Sequence, residues 1–280
     1  MDNQLKLPDG RLLGYAEYGD PLGKPILYFH GWPGSRLEAR IAEQVAHQRQ
    51  VRLIAVDRPG MGLSSFQPRR TLLDWPEDIN RLADSLSLDR FAIVGVSGGG
   101  PYVIACASKI PGRLTKVGIV CGVRPVKRTA QTSTEQMLLF CQQVHWLMRL
   151  LLNREARRIR RDPAQALAQT VDQLPPADQA VFAQDQVRQT MMEDLIEAFQ
   201  QGARGIVADG ALYARDWGID FDQIRAPVFI WQGEQDTTVL PRTAQLLARL
   251  IPTARVTFFA EEGHYSLPIN RMGEIVEVLV

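Results

Sequence analysis

Phe91 to Val96 form an unbroken apolar run that leads directly into Ser97-Gly98-Gly99-Gly100-Pro101. A run of that length with no polar face belongs in a strand covered on both sides. Proline just after the Gly-rich turn opens a helix, because its missing N–H costs nothing in a first turn. Strand, tight turn and helix in that order make half of a parallel crossover unit, and few architectures accept one.

The remainder of the chain repeats the scheme. Leu12 to Tyr18 reads as an early strand or half-hairpin, closed by Gly19-Asp20-Pro21. Pro25 to His30 and Val51 to Val56 are buried strands, with an amphipathic helix from Arg36 to His47 between them. A helix is predicted over Trp75 to Leu86, then the strand Phe91 to Val96, an Ala-rich helix at Tyr102 to Ala107, and a strand at Lys116 to Cys121. The pattern resumes with strand Ala226 to Trp231, helix Arg242 to Leu250, strand Ala254 to Phe259 and a last helix from Ile269. Between Val123 and about Trp217 the alternation stops. That stretch is rich in Gln, Arg, Leu and Ala and is broken at Pro175-Pro176 and at Gly202 to Gly205. The organisation expected is an α/β core from residues 1–122 and 219–280, with a helical cap inserted at 123–218. The core is expected to fold even with the insertion replaced by a short linker.

Composition removes several classes of function. The 280 residues carry a net charge of +1, with 22% charged residues. Without a strong basic excess, neither nucleic acid nor an anionic membrane is expected as a partner. The start, Met1-Asp2-Asn3-Gln4, shows no secretory pattern, and the greasiest stretch, Val144 to Leu152, is interrupted by His145 and Arg149. Three cysteines (Cys106, Cys121 and Cys141) lie in apolar segments, which fits buried thiols in a reducing cytoplasm. The arginines between Arg154 and Arg161 read as a solvated helix face. No zinc-ligand spacing occurs, and no metal or organic cofactor is implied.

Gly95-Val96-Ser97-Gly98-Gly99 matches G-x-S-x-G in the strand–turn–helix context that gives the pattern meaning. The turn lifts the serine hydroxyl clear of the sheet, and glycines two positions either side avoid collision. It also leaves the Gly98 N–H at a helix N-terminus, placed for an oxyanion. A phosphate loop would need G-K-[ST] next, which is missing. Further upstream stand His30-Gly31-Trp32-Pro33-Gly34 and Asp57-Arg58-Pro59-Gly60-Met61-Gly62-Leu63-Ser64. This order of motifs resembles the α/β-hydrolase superfamily in its capped, esterase-like serine-hydrolase branch, over nearly the whole chain apart from the cap. The resemblance implies a mostly parallel eight-stranded sheet sandwiched by helices, and makes Trp32 the second backbone donor of an oxyanion hole.

A serine hydroxyl needs a base. His30 belongs to the oxyanion loop, where it reads as structural. His47 ends a surface helix, and His145 lies in the cap. His264 follows the last strand in Glu261-Glu262-Gly263-His264, a strand-end loop of the kind that carries sites in open α/β sheets. For the orienting acid, Glu234 and Asp236 compete, and the family's Gly-x-x-Asp pattern selects Asp236. The alternative acid position, after the preceding strand, reads Cys121-Gly122-Val123 and offers no carboxylate. Asp57 and Arg58 with their neighbouring glycines read as a turn locked by a local ion pair.

A serine nucleophile sets aside the family's dehalogenases and epoxide hydrolases, which use aspartate. The elbow departs from the Gly-Gly-Ser-Trp-Gly of prolyl aminopeptidases. Acyltransferases of the H-x4-D type need an aspartate five residues after a histidine, where this chain has Ser35, Arg52, Leu150 and Ile269. What remains is a hydrolase of a carboxylic ester of a small apolar molecule, a lactonase, or a C–C hydrolase of β-diketones. A receptor that binds its ligand without turnover is the reading from another class. The cap residues Met137, Phe140, Trp146, Met148 and Trp217 suggest an apolar pocket, with Trp146 and Met148 as the expected substrate contacts. Oligomeric state is not legible.

Overall fold

The computed structural model describes residues 2–126 and 130–280. Lys127, Arg128 and Thr129, inside the expected insertion, and Met1 lie outside the described residues. The described chain forms an eight-stranded sheet in the order β1-β2-β4-β3-β5-β6-β7-β8. Its strands are β1 (Asp2–Lys6), β2 (Leu12–Gly19), β3 (Lys24–Phe29), β4 (Val51–Val56), β5 (Phe91–Val96), β6 (Leu114–Val120), β7 (Val228–Gly233) and β8 (Ala254–Phe259). The pairs β1–β2 and β2–β4 are antiparallel, and every other pair is parallel.

Alternation along the strands divides the core in two. Leu27, Phe29, Ile54, Val56, Phe91 and Ile93 pack on one face with α2 (Trp75–Ser85), α3 (Gly100–Lys109) and α10 (Arg242–Leu250). Ile26, Tyr28, Leu53, Ala55, Ala92 and Val94 pack on the other with α1 (Glu43–Gln48) and α12 (Met272–Leu279). A short helix, α11 (Ser266–Asn270), precedes α12. The inner strands of the parallel section, such as β3 and β5, are therefore apolar on both sides and read as continuous runs, whereas the edge strand β8 alternates exposed and half-buried residues along most of its length.

Two elements differ from expectation. β1, with sequence Asp-Asn-Gln-Leu-Lys, pairs along the sheet edge with alternate residues exposed, and so carries no apolar signal. The segment expected as one helix from Arg36 begins as a 3₁₀ helix, Arg36–Ala42, before α1. Its amides at Arg36 and Glu38 are drawn to carboxylates outside the helix, Asp57 and Asp194.

Between β6 and β7, among the described residues, stand six α-helices: α4 (Ser133–Gln143), α5 (His145–Arg161), α6 (Pro163–Val171), α7 (Pro176–Phe182), α8 (Asp185–Ala198) and α9 (Arg204–Tyr213). They bury two apolar clusters of their own, one around Ile159, Phe199 and Ile206 and one around Phe182 and Val187. All five arginines from Arg154 to Arg161 are exposed. The three cysteines are buried and unpaired. No described helix is long and apolar enough to cross a membrane.

Candidate active site

Ser97 sits at the carboxyl end of β5 with a φ of +50°, a left-handed conformation that a serine adopts only under constraint. The constraint comes from the glycines around it. A methyl on Gly95 would lie 2.5 Å from the Gly99 carbonyl, and one on Gly99 would lie 2.1 Å from the Phe29 carbonyl oxygen. The turn is thus pressed against itself and against the end of β3. It leads straight into α3, so the Gly98 amide stands at a helix start. The Gly98 α-carbon faces the Trp32 loop: a methyl there would meet Trp32 Cβ at 2.6 Å and its backbone nitrogen at 3.2 Å.

His264 follows β8, and its Nε2 lies 3.0 Å from Ser97 Oγ. Its Nδ1 lies 2.8 Å from Asp236 Oδ2, beyond the end of β7. A carboxylate accepts, so Nδ1–H donates to Asp236, and the bare Nε2 accepts from the serine hydroxyl. Asp236 is itself fixed. Its Oδ1 accepts from the amides of Thr238 and Val239, and its Oδ2 also accepts from Gln232 Nε2 at 2.9 Å. Such a chain can draw the hydroxyl proton onto the imidazole. Burial opposes a charge on His264, but Asp236 at hydrogen-bond distance and the negative charges of Asp178 and Glu38 outweigh it. The imidazole pKa is raised above its ordinary 6.5.

The expected local pair of Asp57 and Arg58 does not form. Successive side chains at the end of an extended strand point to opposite faces. Asp57 turns to Arg36, accepting from its amide and from Nη1 at 2.9 Å. Arg58 turns the other way, to Asp209 of α9 at 2.8 Å and to the carbonyls of His30 and Gly31. His30 donates from Nδ1 to the Gly31 carbonyl and accepts from the Arg58 amide. Burial, with the Arg58 charge beside it, holds this imidazole well below its ordinary pKa.

Three aspartates from the inserted helices reach into these loops, and none was visible as a site residue in the sequence. Asp178 of α7 accepts from three consecutive amides, His264, Tyr265 and Ser266, at 3.0, 2.9 and 2.8 Å. Asp194 of α8 accepts from the amide and hydroxyl of Ser35 and the amide of Glu38. Asp209 of α9 binds Arg58, Arg70, Tyr102 and Tyr213, and the Tyr213 hydroxyl lies 2.8 Å from the Gly98 carbonyl oxygen. Excising the insertion would strip these partners from buried amides and guanidiniums, so a core that folds without it is no longer the expectation. Glu38 is a fourth buried carboxyl, 2.6 Å from the Tyr28 hydroxyl and 2.8 Å from the Gly31 amide, with its pKa raised by burial. The sequence signal was ambiguous, since Asp178 follows Pro176 in a first helical turn, where any acid is at home.

Ser97 and His264 floor a cavity of about 360 Å³. Its walls are mostly apolar and come partly from the inserted helices, with Ile159, Leu167, Phe182, Met191, Leu195 and Phe199, and partly from the core, with Ile41, Ile269 and Met272. Glu38, Glu155 and Asp194 are among the lining residues, and among the described residues no lysine or arginine is. Trp146 and Met148, expected from the sequence to contact substrate, do not line it. Trp146 is 66% exposed, and Met148 is buried inside the apolar cluster behind the wall. Helical periodicity in the insertion identified large apolar residues but not the side of the wall each occupies.

Among the described residues, Cys121, Asp236 and His264 form the group whose donor atoms lie close enough to share a metal ion. Asp236 and His264 already spend those atoms on each other. Burial pushes the Cys121 thiol well above its usual pKa, whereas a ligand must be a thiolate. The group fits a hydrogen-bonded site better than a metal centre.

Residues 24–270 match the family model described as alpha/beta hydrolase fold, and the chain belongs to that family. Lipase 1 of Psychrobacter immobilis is 25% identical over 276 residues, which is 93% of this chain and 77% of that protein. A proline iminopeptidase of Xanthomonas citri is 31% identical over 113 residues, 39% of this chain and 35% of that one, so the match spans about a third of that relative. Among solved structures, an alpha/beta hydrolase fold protein from Nakamurella multipartita superposes with a TM-score of 0.75 at 20% identity, covering 100% of this chain and 99% of that one. A thermophilic esterase from Thermogutta terrifontis superposes at 0.72 and 20% identity, over 99% and 97% of the two chains.

Proposed function

We propose that the protein is a serine hydrolase of neutral carboxylic esters or lactones of small apolar molecules, with Ser97 as nucleophile, His264 as base and Asp236 as the acid that orients it. The observation that carries this reading is the hydrogen-bonded chain from Asp236 through His264 to a serine held at positive φ beneath an apolar cavity. His264 takes the Ser97 proton as Oγ attacks the acyl carbon. The backbone N–H groups of Trp32 and Gly98 hold the oxyanion, and the alkoxide leaves with the proton that His264 returns. Water, deprotonated by the same imidazole, then releases the acid. These steps call for no metal or cofactor. The buried carboxyls of Glu38 and Asp194, the half-exposed Glu155, and no lysine or arginine among the described lining residues favour an uncharged substrate over one bearing a carboxylate. Residues 123–218 act as a lid that excludes water and selects the acyl and alcohol groups. Buried unpaired thiols support a cytoplasmic setting.

A panel of p-nitrophenyl esters, lactones and β-diketones tests the reading, together with a fluorophosphonate label mapped by mass spectrometry. Turnover of esters or lactones and a label on Ser97 are expected. A labelled Ser97 with no turnover across the panel favours a receptor, and β-diketone cleavage alone favours the C–C reading. Within the cavity, Met191→Ala is expected to shift the kcat/KM ratio between long and short acyl chains by about tenfold, the worth of a lost apolar contact. Trp146→Ala, outside it, leaves that ratio within about twofold.

The pH profile gives an independent check. The base works as neutral imidazole, so kcat/KM falls as pH drops through the His264 pKa. Because that pKa is raised, the acid limb is expected above 6.5. A rate that remains flat down to pH of about 5 excludes a histidine base.

A further inference from the structure

A second cavity, of about 440 Å³, opens between the loop before α2 and the inserted helices α4, α5 and α9. Arg69, Arg70, Arg149, Arg204 and Arg215 line it together with His145, and no carboxylate does among the described residues. In a chain whose net charge is +1, that is a strong local excess.

Arg70 is buried, bound to Asp209 and Tyr102 on one edge, while its Nε is buried without a hydrogen-bond partner. A buried guanidinium N–H lacking an acceptor is costly, and an oxyanion in the cavity would supply one. The other four arginines are exposed and make no salt bridge among the described residues. Exposed arginines elsewhere are either paired, as Arg158 with Glu155, or, among the described residues, unpaired outside any such cavity, as Arg154 and Arg157; what sets these four apart is that they line one cavity with Arg70. Arg204 is held over the Phe66 ring at 3.9 Å, which uses the face of the guanidinium and leaves its N–H edges available.

From this geometry we infer that the cavity is a binding site for a small polyanion, distinct from the Ser97 cavity. The arginines stand on three separate elements. Arg204 and Arg215 begin and follow α9, roughly 16 Å apart along the helix axis at the usual rise. A ligand that engages both carries at least two acidic groups, as an elongated phosphate ester or a polycarboxylate does.

Calorimetric titration of the intact protein with tripolyphosphate and with citrate, at constant ionic strength, tests the inference and separates the two chemical sources. Saturable 1:1 binding of at least one anion is expected, with Kd on the order of 100 µM and weakening as NaCl rises. The Arg204→Gln/Arg215→Gln double variant should weaken it at least tenfold while ester turnover stays unchanged. Both residues are exposed, and circular dichroism verifies the fold. The control pair Arg154→Gln/Arg157→Gln, exposed on α5 but outside the cavity, should leave Kd unchanged. Absence of saturable binding by either anion overturns the site. So does equal weakening by the control pair, which would mark diffuse charge, and so does tighter binding of a single-stranded oligonucleotide that the control pair equally abolishes.

Discussion

Replacing Ser97 with alanine is expected to lower kcat on the best ester of the panel by about 10⁶-fold, and His264→Ala by about as much. The two losses should not add. Once the nucleophile is gone the base has no proton to take, so the double variant falls no further than either single one. Asp236→Asn is expected to cost about 10⁴-fold, because an amide facing His264 Nδ1 no longer enforces the tautomer that leaves Nε2 bare. The side chain is well placed for that test. Four hydrogen bonds hold it, so asparagine should occupy the same position and change the chemistry without moving the backbone. A residual rate about 10³-fold above water is expected from the Trp32 and Gly98 donors. Ser97→Ala that retains a hundredth of the wild-type kcat would remove the serine from the mechanism.

The second large effect concerns stability. Asp209→Asn removes the anion shared by Arg58 and Arg70, all three side chains being almost fully buried. Truncating one partner of a buried pair leaves the other charge uncompensated, and the expected loss is about 3–5 kcal/mol, read as a fall in the urea midpoint. Asp185→Asn gives the contrast. Its carboxylate is 91% exposed beside Arg188, and the expected change is below about 1 kcal/mol. The pH dependence has a definite sign. Burial alone would raise the Asp209 pKa, but Arg58 and Arg70 override it and lower it to about 2 from 3.8. Its contribution is therefore intact above about 3.8 and lost as pH falls toward about 2. An Asp209→Asn variant as stable as wild type would mean that the two guanidiniums find water or other acceptors.

The parts of the chain that were legible before folding share one physical property: their signal is local. Val51–Val56, Phe91–Val96 and Ala254–Phe259 have the bounds read from the sequence, since burial or pairing acts on contiguous residues. Ser97 announces itself through glycines two positions away, and the strand-end loops of Asp236 and His264 follow from where strands stop. β1 was illegible because an edge strand of Asp, Asn, Gln and Lys around a single Leu is held mainly by backbone pairing with its neighbour and shows no apolar run. Asp178, Asp194 and Asp209 were illegible for a different reason. Each is an acid on a helix, and only its partner, 86 to 159 positions away for Asp178 and Asp194 and 151 for the Arg58 contact of Asp209, distinguishes it from a solvated one. Trp146 failed in the opposite direction, a large apolar residue that the fold leaves outside.

The contact between Asp178 and Gly263 bears on how such a chain can diverge. A methyl on Gly263 would fall 2.4 Å from an Asp178 carboxylate oxygen, so the acid that steadies the histidine loop also forbids a side chain there. Inheritance of the two positions is then linked. A lineage that trades its helical insertion for another, by recombination or by drift, loses the aspartate and frees residue 263 to vary. One that first acquires alanine at 263 must push the aspartate away and surrender the three amides it holds. Across descendants of a common ancestor, the two sites should substitute together, although 85 residues of sequence separate them.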